Sequence, residues 1–462
     1  MSRYLNKTNL WPVLGVIVII AIGVFIRLTV YGDLRLSVAN LDTPSYVESS
    51  EVNPLSWGAF TRQRQFTTNL VYRIFTPNDG YRYRAISSRA TGTITRKIDR
   101  GFEDIAVLQS TLSIVAWICL AWSFASRLKS GIARIASAGL IILFGFTPQI
   151  ADWDSVLSAE SLSISLFILS FATLIWLAFA YYEQPINNTM KTLGFGALLV
   201  ALFFWIFVRD VNTYSLIFLL LLILGIYIVP RFRKTKFFLL AAILICLLLA
   251  LGQTSTGQRR LRQGVLVDVW ATDIQPFPAI MQYFHDKGMP EEGTPEFSIW
   301  FNEHAALTYF QFLFDHPAYT TNKFFKDLPI AFEDNVQPYF KANDLKFRSL
   351  LLMVGDYLHP KNATIFFIVV ALLLVLLNHA IFQGRPAAYP WAWVMTWAFL
   401  TASATMFFSI FGDSWGLLRH ALSSTATYRL LTWMLLLIIF DFSLVRAERE
   451  PPPLAPSESK VI

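Results

Sequence analysis

The chain has 462 residues, 55% of them hydrophobic and 15% aromatic, with a mean hydropathy of +0.49. Apolar runs near the ~20 residues that cross a bilayer recur along it, which excludes a soluble globular domain and marks a multi-pass membrane protein. The net charge of +7 then follows from membrane topology and anionic lipid, with no nucleic-acid partner implied.

The first apolar run, at 10–30, follows Arg3 and Lys7 and has no small-residue cleavage site, so it reads as an uncleaved anchor. Further spans are expected at about 104–125, 132–149, 156–181, 191–208, 213–230, 236–253, 363–382, 389–411 and 427–445, about ten transmembrane helices in an all-α fold. Cys119 and Cys246 fall inside spans and suggest neither a disulfide nor a zinc site. Connectors after even-numbered spans carry Arg127, Lys129, Arg134, Lys191, Arg231, Arg233, Lys234, Lys236 and Arg385, whereas those after the third, fifth and ninth carry only Arg209 and Arg419. The positive-inside rule therefore places both termini in the cytoplasm.

Two long segments are then external. Residues 31–103 space Trp57, Phe60, Phe66, Tyr72 and Phe75 as in amphipathic helices lying on a membrane surface. Residues 254–362 carry helical stretches near Glu303 to Asp315 and Thr320 to Phe332. The tail 446–462 lacks apolar content and is expected to be disordered in the cytoplasm. The chain thus divides into a membrane module 1–253 that includes the first loop, a loop domain 254–362, C-terminal helices 363–445 and the tail.

The ionisable residues of the external connectors sit at helix ends. The stretch ADWDSVLSAESL places Asp152 and Asp154 where the chain leaves the lipid, and Glu160 inside the apolar run that follows. A charge there costs about 2.5–3.5 kcal/mol, so an intramembrane acid reads as functional or as lining a watered cavity. Asp154 also suits an N-cap of the next helix. The first loop opens with NLDTPSY, giving Asp42 and Tyr46; the third is RDVNT, giving Arg209 and Asp210; the fifth gives Asp413, Arg419 and His420. Tyr81, Arg82, Tyr83, Arg84 and Arg89 form a basic aromatic patch that suits a lipid phosphate or a headgroup anchor. His285, His304, His316 and His359 lack the spacing of a zinc protease helix and read as structural, His316 as the break between two helices.

No phosphate loop or dinucleotide fingerprint occurs, so an intracellular nucleotide donor has no support. A lipid-linked donor carries its own leaving phosphate. Arg209, Arg419 and His420 can stabilise that phosphate. An acceptor hydroxyl needs a base, for which Asp42 is the candidate, with an Asx turn or N-cap as its structural alternative. Asp152, Asp154, Glu160 and Tyr46 are candidates to orient the acceptor. No cofactor motif is present, and Mg²⁺ or Mn²⁺ on Asp42, Asp154 and Glu160 is the option that oxygen ligands leave open.

Asp42 in NLDTPSY, the stretch WDSVLSAESLSISLFIL, the helix exit WIFVRDVNTYSL and the late GDSWGLLRH resemble segments of the GT-C superfamily of integral membrane glycosyltransferases, including enzymes of the protein mannosyltransferase and aminoarabinose transferase type. The resemblance implies a polyprenyl-phosphate-sugar donor, a lipid, glycan or protein acceptor, inversion at the anomeric carbon, and catalysis by Asp42 on the outer face of the cell (inner or plasma) membrane. The protein O-mannosyltransferases carry an adjacent Asp-Glu pair in this loop, whereas here Thr43 follows Asp42. A lipid flippase or transporter of envelope precursors is the alternative reading, in which Glu160 and the arginines line a path.

Overall fold

The computed structural model describes residues 7–86, 94–182, 188–228, 236–263, 266–341, 346–412 and 416–447. Arg89, Asp413 and the tail beyond Ala447 lie outside them. Among the described residues every regular element is helical, and strand-like pairing is confined to three isolated bridges.

Eight helices are long and apolar enough to cross a membrane: Leu10–Tyr31, Glu103–Ala125, Ala159–Tyr182, Asn188–Ile206, Phe237–Gly257, Thr364–Ile381, Ala388–Gly412 and Leu422–Val445. They match eight of the ten expected spans. The expected span at 213–230 is the shorter apolar helix Asp210–Ile226.

The expected span at 132–149 stops early, for a local reason. Thr147 precedes a proline and so takes an extended conformation (φ −73°, ψ 156°) that ends the helix Gly131–Phe146. Pro148 then starts a new turn, Pro148–Ala151, bent by 46° from the first and continuing as a 3-10 turn Asp152–Ser155. Counted as one broken span, the pair makes nine. The next span begins at Ala159 instead of 156, because Val156 is extended and pairs with Val38.

Ala159–Tyr182 runs through the middle of the bundle, packed by Glu103–Ala125, Asn188–Ile206 and Ala388–Gly412. Lipid supplies no hydrophobic drive between helices, so small and hydroxyl side chains do the close packing. Ser161, Ser163, Ser165 and Ser170 are all buried along this helix, and Ser163 accepts a hydrogen bond from Asn212 at 3.1 Å. At one end of the bundle Asp441 accepts from the backbone N–H groups of Lys129 (3.0 Å) and Ser130 (2.7 Å), satisfying donors at the start of Gly131–Phe146.

At the other end the two long segments meet the short connectors. Of the aromatic residues expected to lie on the membrane surface, Phe60, Phe66, Tyr72 and Phe75 pack onto protein, while Trp57 stays exposed. Phe60 stacks on Phe66 at 4.3 Å, both rings lie against Phe203 and Phe207, and Tyr72 is buried beside Tyr46. The helices Ala305–Asp315 and Pro317–Phe332 stand where helical stretches were expected, with His316 between them. Arg429, buried in the last span, fastens this layer by donating to Phe332 O (2.9 Å) and Pro360 O (3.0 Å).

Arg27, near the end of the first span, is 2% exposed and pairs with Asp154 at 2.8 Å. Asp154 also accepts from Ser161 Oγ at 2.6 Å, so its carboxylate joins two spans and does not cap the next helix. Removing one partner of such a pair leaves a bare buried charge. We expect Arg27→Met to cost about 3–5 kcal/mol, and the double change Arg27→Met with Asp154→Leu to recover most of it. Thermal unfolding in nanodiscs measures both, and a double variant no more stable than the single one sinks the pairing argument.

His359 Nε2 lies 3.1 Å from Phe144 O and 3.0 Å from Thr147 Oγ1, while Nδ1 is buried without a partner. Burial, and then the nearby Arg429, hold the imidazole well below the usual histidine range. The unfolded chain binds a proton below about pH 6.5 and the folded state does not, so this contribution is intact above that pH and declines below it, by up to about 1.4 kcal/mol per unit. The decline should appear in unfolding measured between pH 7.5 and 5.5, and its slope should be smaller in His359→Gln.

Candidate active site

The site begins with a backbone seam. Val38 N donates to Ser155 O (2.8 Å), Leu157 N to Val38 O (3.0 Å), and Ile86 N to Ala39 O (3.0 Å). The first long segment is thereby stitched to the acidic turn ahead of Ala159–Tyr182. Asn40 then makes the Asx turn, its Oδ1 accepting from Asp42 N (3.0 Å) and Thr43 N (3.1 Å), and Thr43 Oγ1 donates to Leu157 O (2.9 Å). Asp42 precedes the helix Thr43–Ser49 but makes no side-chain cap. The turn chemistry belongs to Asn40. The Asp42 carboxylate is left for other partners.

Those partners are two arginines. Arg64 Nη2 donates to Asp42 Oδ1 at 2.9 Å, and Arg419 Nη1 to Oδ2 at 2.5 Å. Arg64 is set in place by Ser45 Oγ (2.7 Å) and by the ring of Tyr46, 4.4 Å from its guanidinium. Arg419 reaches on, with Nε 3.3 Å from Glu160 Oε1 and Nη1 3.3 Å from the hydroxyl of Tyr339. His420 follows in the same one-turn helix, Leu417–His420, and its Nδ1 lies 2.5 Å from Arg209 Nη2. A guanidinium can only donate, so Nδ1 is the accepting nitrogen. Arg209 is held in the tight connector between Asn188–Ile206 and Asp210–Ile228.

These groups line a cavity of about 850 Å³. Tyr46, Arg64, Glu160, Arg209, Arg419 and His420 form a polar wall, with Asp42 tied to two of them; Leu266, Tyr309, Phe310, Phe408 and Phe411 form a largely apolar one. Among the described residues that line the cavity, Arg209 Nη1, Glu160 Oε2, both side-chain amide atoms of Gln65 and the Tyr309 hydroxyl are buried without a partner. A donor of a cation and an acceptor of an anion are thus left for something in the cavity. Burial pushes the Asp42 carboxyl up, but Arg419 and then Arg64 more than offset it, and the group lies below the usual carboxylate range. Burial works against the charge of Arg419, which Glu160 and Asp42 nonetheless hold firmly protonated. Burial pushes the phenols of Tyr46 and Tyr339 up, so both stay neutral.

The structure brings Asp42, Tyr46, Glu160, Arg209, Arg419 and His420 together. It does not bring Asp152 or Asp154 to the cavity. Asp152 is fully buried and pairs with Arg348, as Asp154 does with Arg27. Arg82 and Arg84 are exposed, Arg82 lying 3.7 Å from Asp79, and neither lines the cavity. Tyr81 and Tyr83, whose neighbourhood drew attention to them, pack on Phe102 instead. Arg64 and Tyr339 were missed by sequence reasoning. Arg64 is one of two alternating arginines between Phe60 and Phe66, and inward-facing rings on both sides were the available clue.

Asp42, Asp154 and Glu160 do not fit a divalent metal. Asp154 is spent on Arg27, and Arg419 stands between the other two. Among the described residues no group of three His, Cys, Asp or Glu side chains is arranged to hold an ion.

Fold and site together define a polytopic helical membrane protein with a charged cavity where its two long interhelical segments converge. No family model matches the chain, and no curated protein matches it. Among solved structures it is similar to the archaeal oligosaccharyltransferase AglB from Archaeoglobus fulgidus in complex with an inhibitory peptide and a dolichol-phosphate, at 12% identity over 97% of this chain and 53% of that one, with a TM-score of 0.42. It is also similar to the apo crystal structure of the Archaeoglobus fulgidus oligosaccharyltransferase, at 12% identity over 95% and 52% of the two chains, with a TM-score of 0.41. The chain spans about half the length of these structures.

Proposed function

We propose that the protein is a membrane glycosyltransferase that moves a sugar from a polyprenyl-phosphate donor to an acceptor hydroxyl. The observation that carries this reading is the ionised carboxylate of Asp42, held by the cavity-lining Arg64 and Arg419, together with the cation Arg209 beside His420 in the same cavity wall. An inverting transfer needs these two functions on opposite sides of one sugar. The acceptor oxygen attacks the anomeric carbon as its bond to the phosphate oxygen breaks, the bonding electrons leaving with the lipid phosphate and the acceptor proton passing to Asp42. Arg209 and His420 receive the developing phosphate charge, as preorganised donors do.

Asp42 is a weak base because two arginines hold it ionised. Such a base takes the proton late, once the attacking oxygen has become acidic through bonding to carbon. Its side chain is 24% exposed, so an acceptor can reach it. Tyr46 and Glu160 are the groups we assign to orienting acceptor or sugar hydroxyls, while Asp152 and Asp154 hold the segment that carries Glu160. The distribution of basic residues among the connectors supports an active face on the outer side of the cell membrane, with both termini inside. On this topology 254–362 forms an external domain between the membrane module and the C-terminal helices.

The first test is sugar transfer from a panel of short-chain polyprenyl-phosphate sugars by the protein in nanodiscs. Asp42→Asn should lower kcat by about 10²–10⁴-fold while donor binding survives. Transfer at the normal rate in that variant would remove Asp42 as the base, and donor binding without transfer by the wild type would favour a flippase. A second comparison separates the arginines. Arg209→Ala should weaken binding of a dansylated polyprenyl phosphate by about tenfold or more, the loss of one charge-assisted hydrogen-bonding group, whereas Arg82→Ala with Arg84→Ala should change it by less than about twofold. Equal losses in the two would place the phosphate elsewhere.

A further inference from the structure

We infer that Arg419 occupies the seat a divalent cation would take between Asp42 and Glu160, and that the cavity binds and activates its anionic ligand with a guanidinium in place of a metal. The inference rests on the transferase reading for its catalytic half only.

Three observations carry it. First, Arg419 bonds one carboxylate oxygen from each of two acids that come from distant parts of the chain, Asp42 Oδ2 at 2.5 Å and Glu160 Oε1 at 3.3 Å. Second, the acids are fixed independently of it. Asp42 is fixed by the Asn40 turn and by Arg64, and Glu160 by its place in the first turn of the central helix. With the guanidinium gone, two carboxylates would face each other across one gap, the donor set that oxygen-seeking cations favour. Third, Arg419 is braced against leaving. Tyr339 Oη accepts from Nη1 at 3.3 Å, and Ser409 Oγ donates to His420 O at 2.9 Å, which fixes the turn that carries the arginine.

Charge accounting points the same way. A divalent ion between these acids would have to displace the Arg419 guanidinium and would still stand near Arg64 and Arg209, adding a double charge to a partly desolvated wall. Like charges so placed cost more than they would in water. A single delocalised charge that donates in a plane satisfies both acids without that repulsion.

The inference is tested without reference to activity by titrating Mn²⁺ against the purified protein and counting bound ions by electron paramagnetic resonance. The wild type should show no site that Asp42→Asn or Glu160→Gln removes. Arg419→Ala should gain one Mn²⁺ per chain, about tenfold or more tighter than any wild-type binding, and Arg419→Ala with Glu160→Gln should lose it again. Arg419→Lys, which keeps the charge, should gain none. Should Arg419→Ala fail to fold, Arg419→Gln takes its place. One wild-type Mn²⁺ that Asp42→Asn abolishes, or a folded Arg419→Ala that gains no ion, overturns the inference. In the transfer assay EDTA should leave the rate unchanged, and a rate restored only by added Mn²⁺ also overturns it. Absence of transfer from every donor refutes the transferase reading instead and leaves the Mn²⁺ result standing.

Discussion

Arg419 is held between Asp42 and Glu160, and these three groups come from the first long segment, the fourth predicted span and the connector before the last span. Each would be costly alone. Glu160 is 3% exposed at the start of a helix otherwise lined by apolar and hydroxyl groups, and a carboxylate there needs a cation or a proton. Its ion-pair partner, Arg419, comes from the connector before the last span, so closing this triad brings the ends of the bundle's early and late helices together. The same constraint recurs at Arg27 with Asp154 and at Asp152 with Arg348. In a medium with little water, charge pairing does for these loops what a hydrophobic core does for a soluble domain.

The difference between the pairs is where their unspent capacity points. Asp154 is satisfied by Arg27 and Ser161, and it joins two spans. The triad at Arg419 is satisfied on the side facing the protein but leaves Glu160 Oε2 and, beyond His420, Arg209 Nη1 without partners. The structural pairs also leave buried atoms without partners, Arg27 Nε, Asp152 Oδ1 and Arg348 Nε, but none of these residues lines the cavity. A site keeps bonding capacity in reserve and directs it into a volume large enough for a ligand, here about 850 Å³.

How much of this was legible before the structure depends on which physical signal each feature leaves. Membrane-length apolar helices leave a strong one, and the all-helical multi-pass fold and eight of the spans follow from run length alone. The break at Thr147 was written in the following proline, yet hydropathy averages over it. Asp42 was marked out, although the turn that frees its carboxylate is made by Asn40, two residues earlier. Asp152, Asp154 and Glu160 read alike in sequence, three acids in one short stretch. What separates them is the partner each finds, and Arg27 and Arg348 are 127 and 196 residues from theirs. Tyr339, 80 residues from Arg419, was invisible for the same reason, whereas Arg64 is only 22 residues from Asp42 and was marked by no more than the rings of Phe60 and Phe66 on either side. Local composition favoured Arg82 and Arg84, whose aromatic neighbours pack inward without them.

The triad also constrains how the cavity can respond to a ligand. Arg419 serves both acids at once, so any anion that draws on its guanidinium weakens its hold on Asp42 or on Glu160. Asp42 retains Arg64 when this happens, at 2.9 Å, whereas Glu160 has no second cation within salt-bridge distance among the described residues. The two acids are therefore unequal. Asp42 keeps a cationic partner as Arg419 shifts, and Glu160 is the group whose demand must be met by a donor from the ligand, such as a hydroxyl. An anion bound at Arg209 and a hydroxyl bound at Glu160 would then be coupled through one side chain, because each occupant alters what Arg419 must satisfy. A sugar joined to a phosphate presents both groups on one molecule, suited to the unpartnered Glu160 Oε2 and Arg209 Nη1 of this wall.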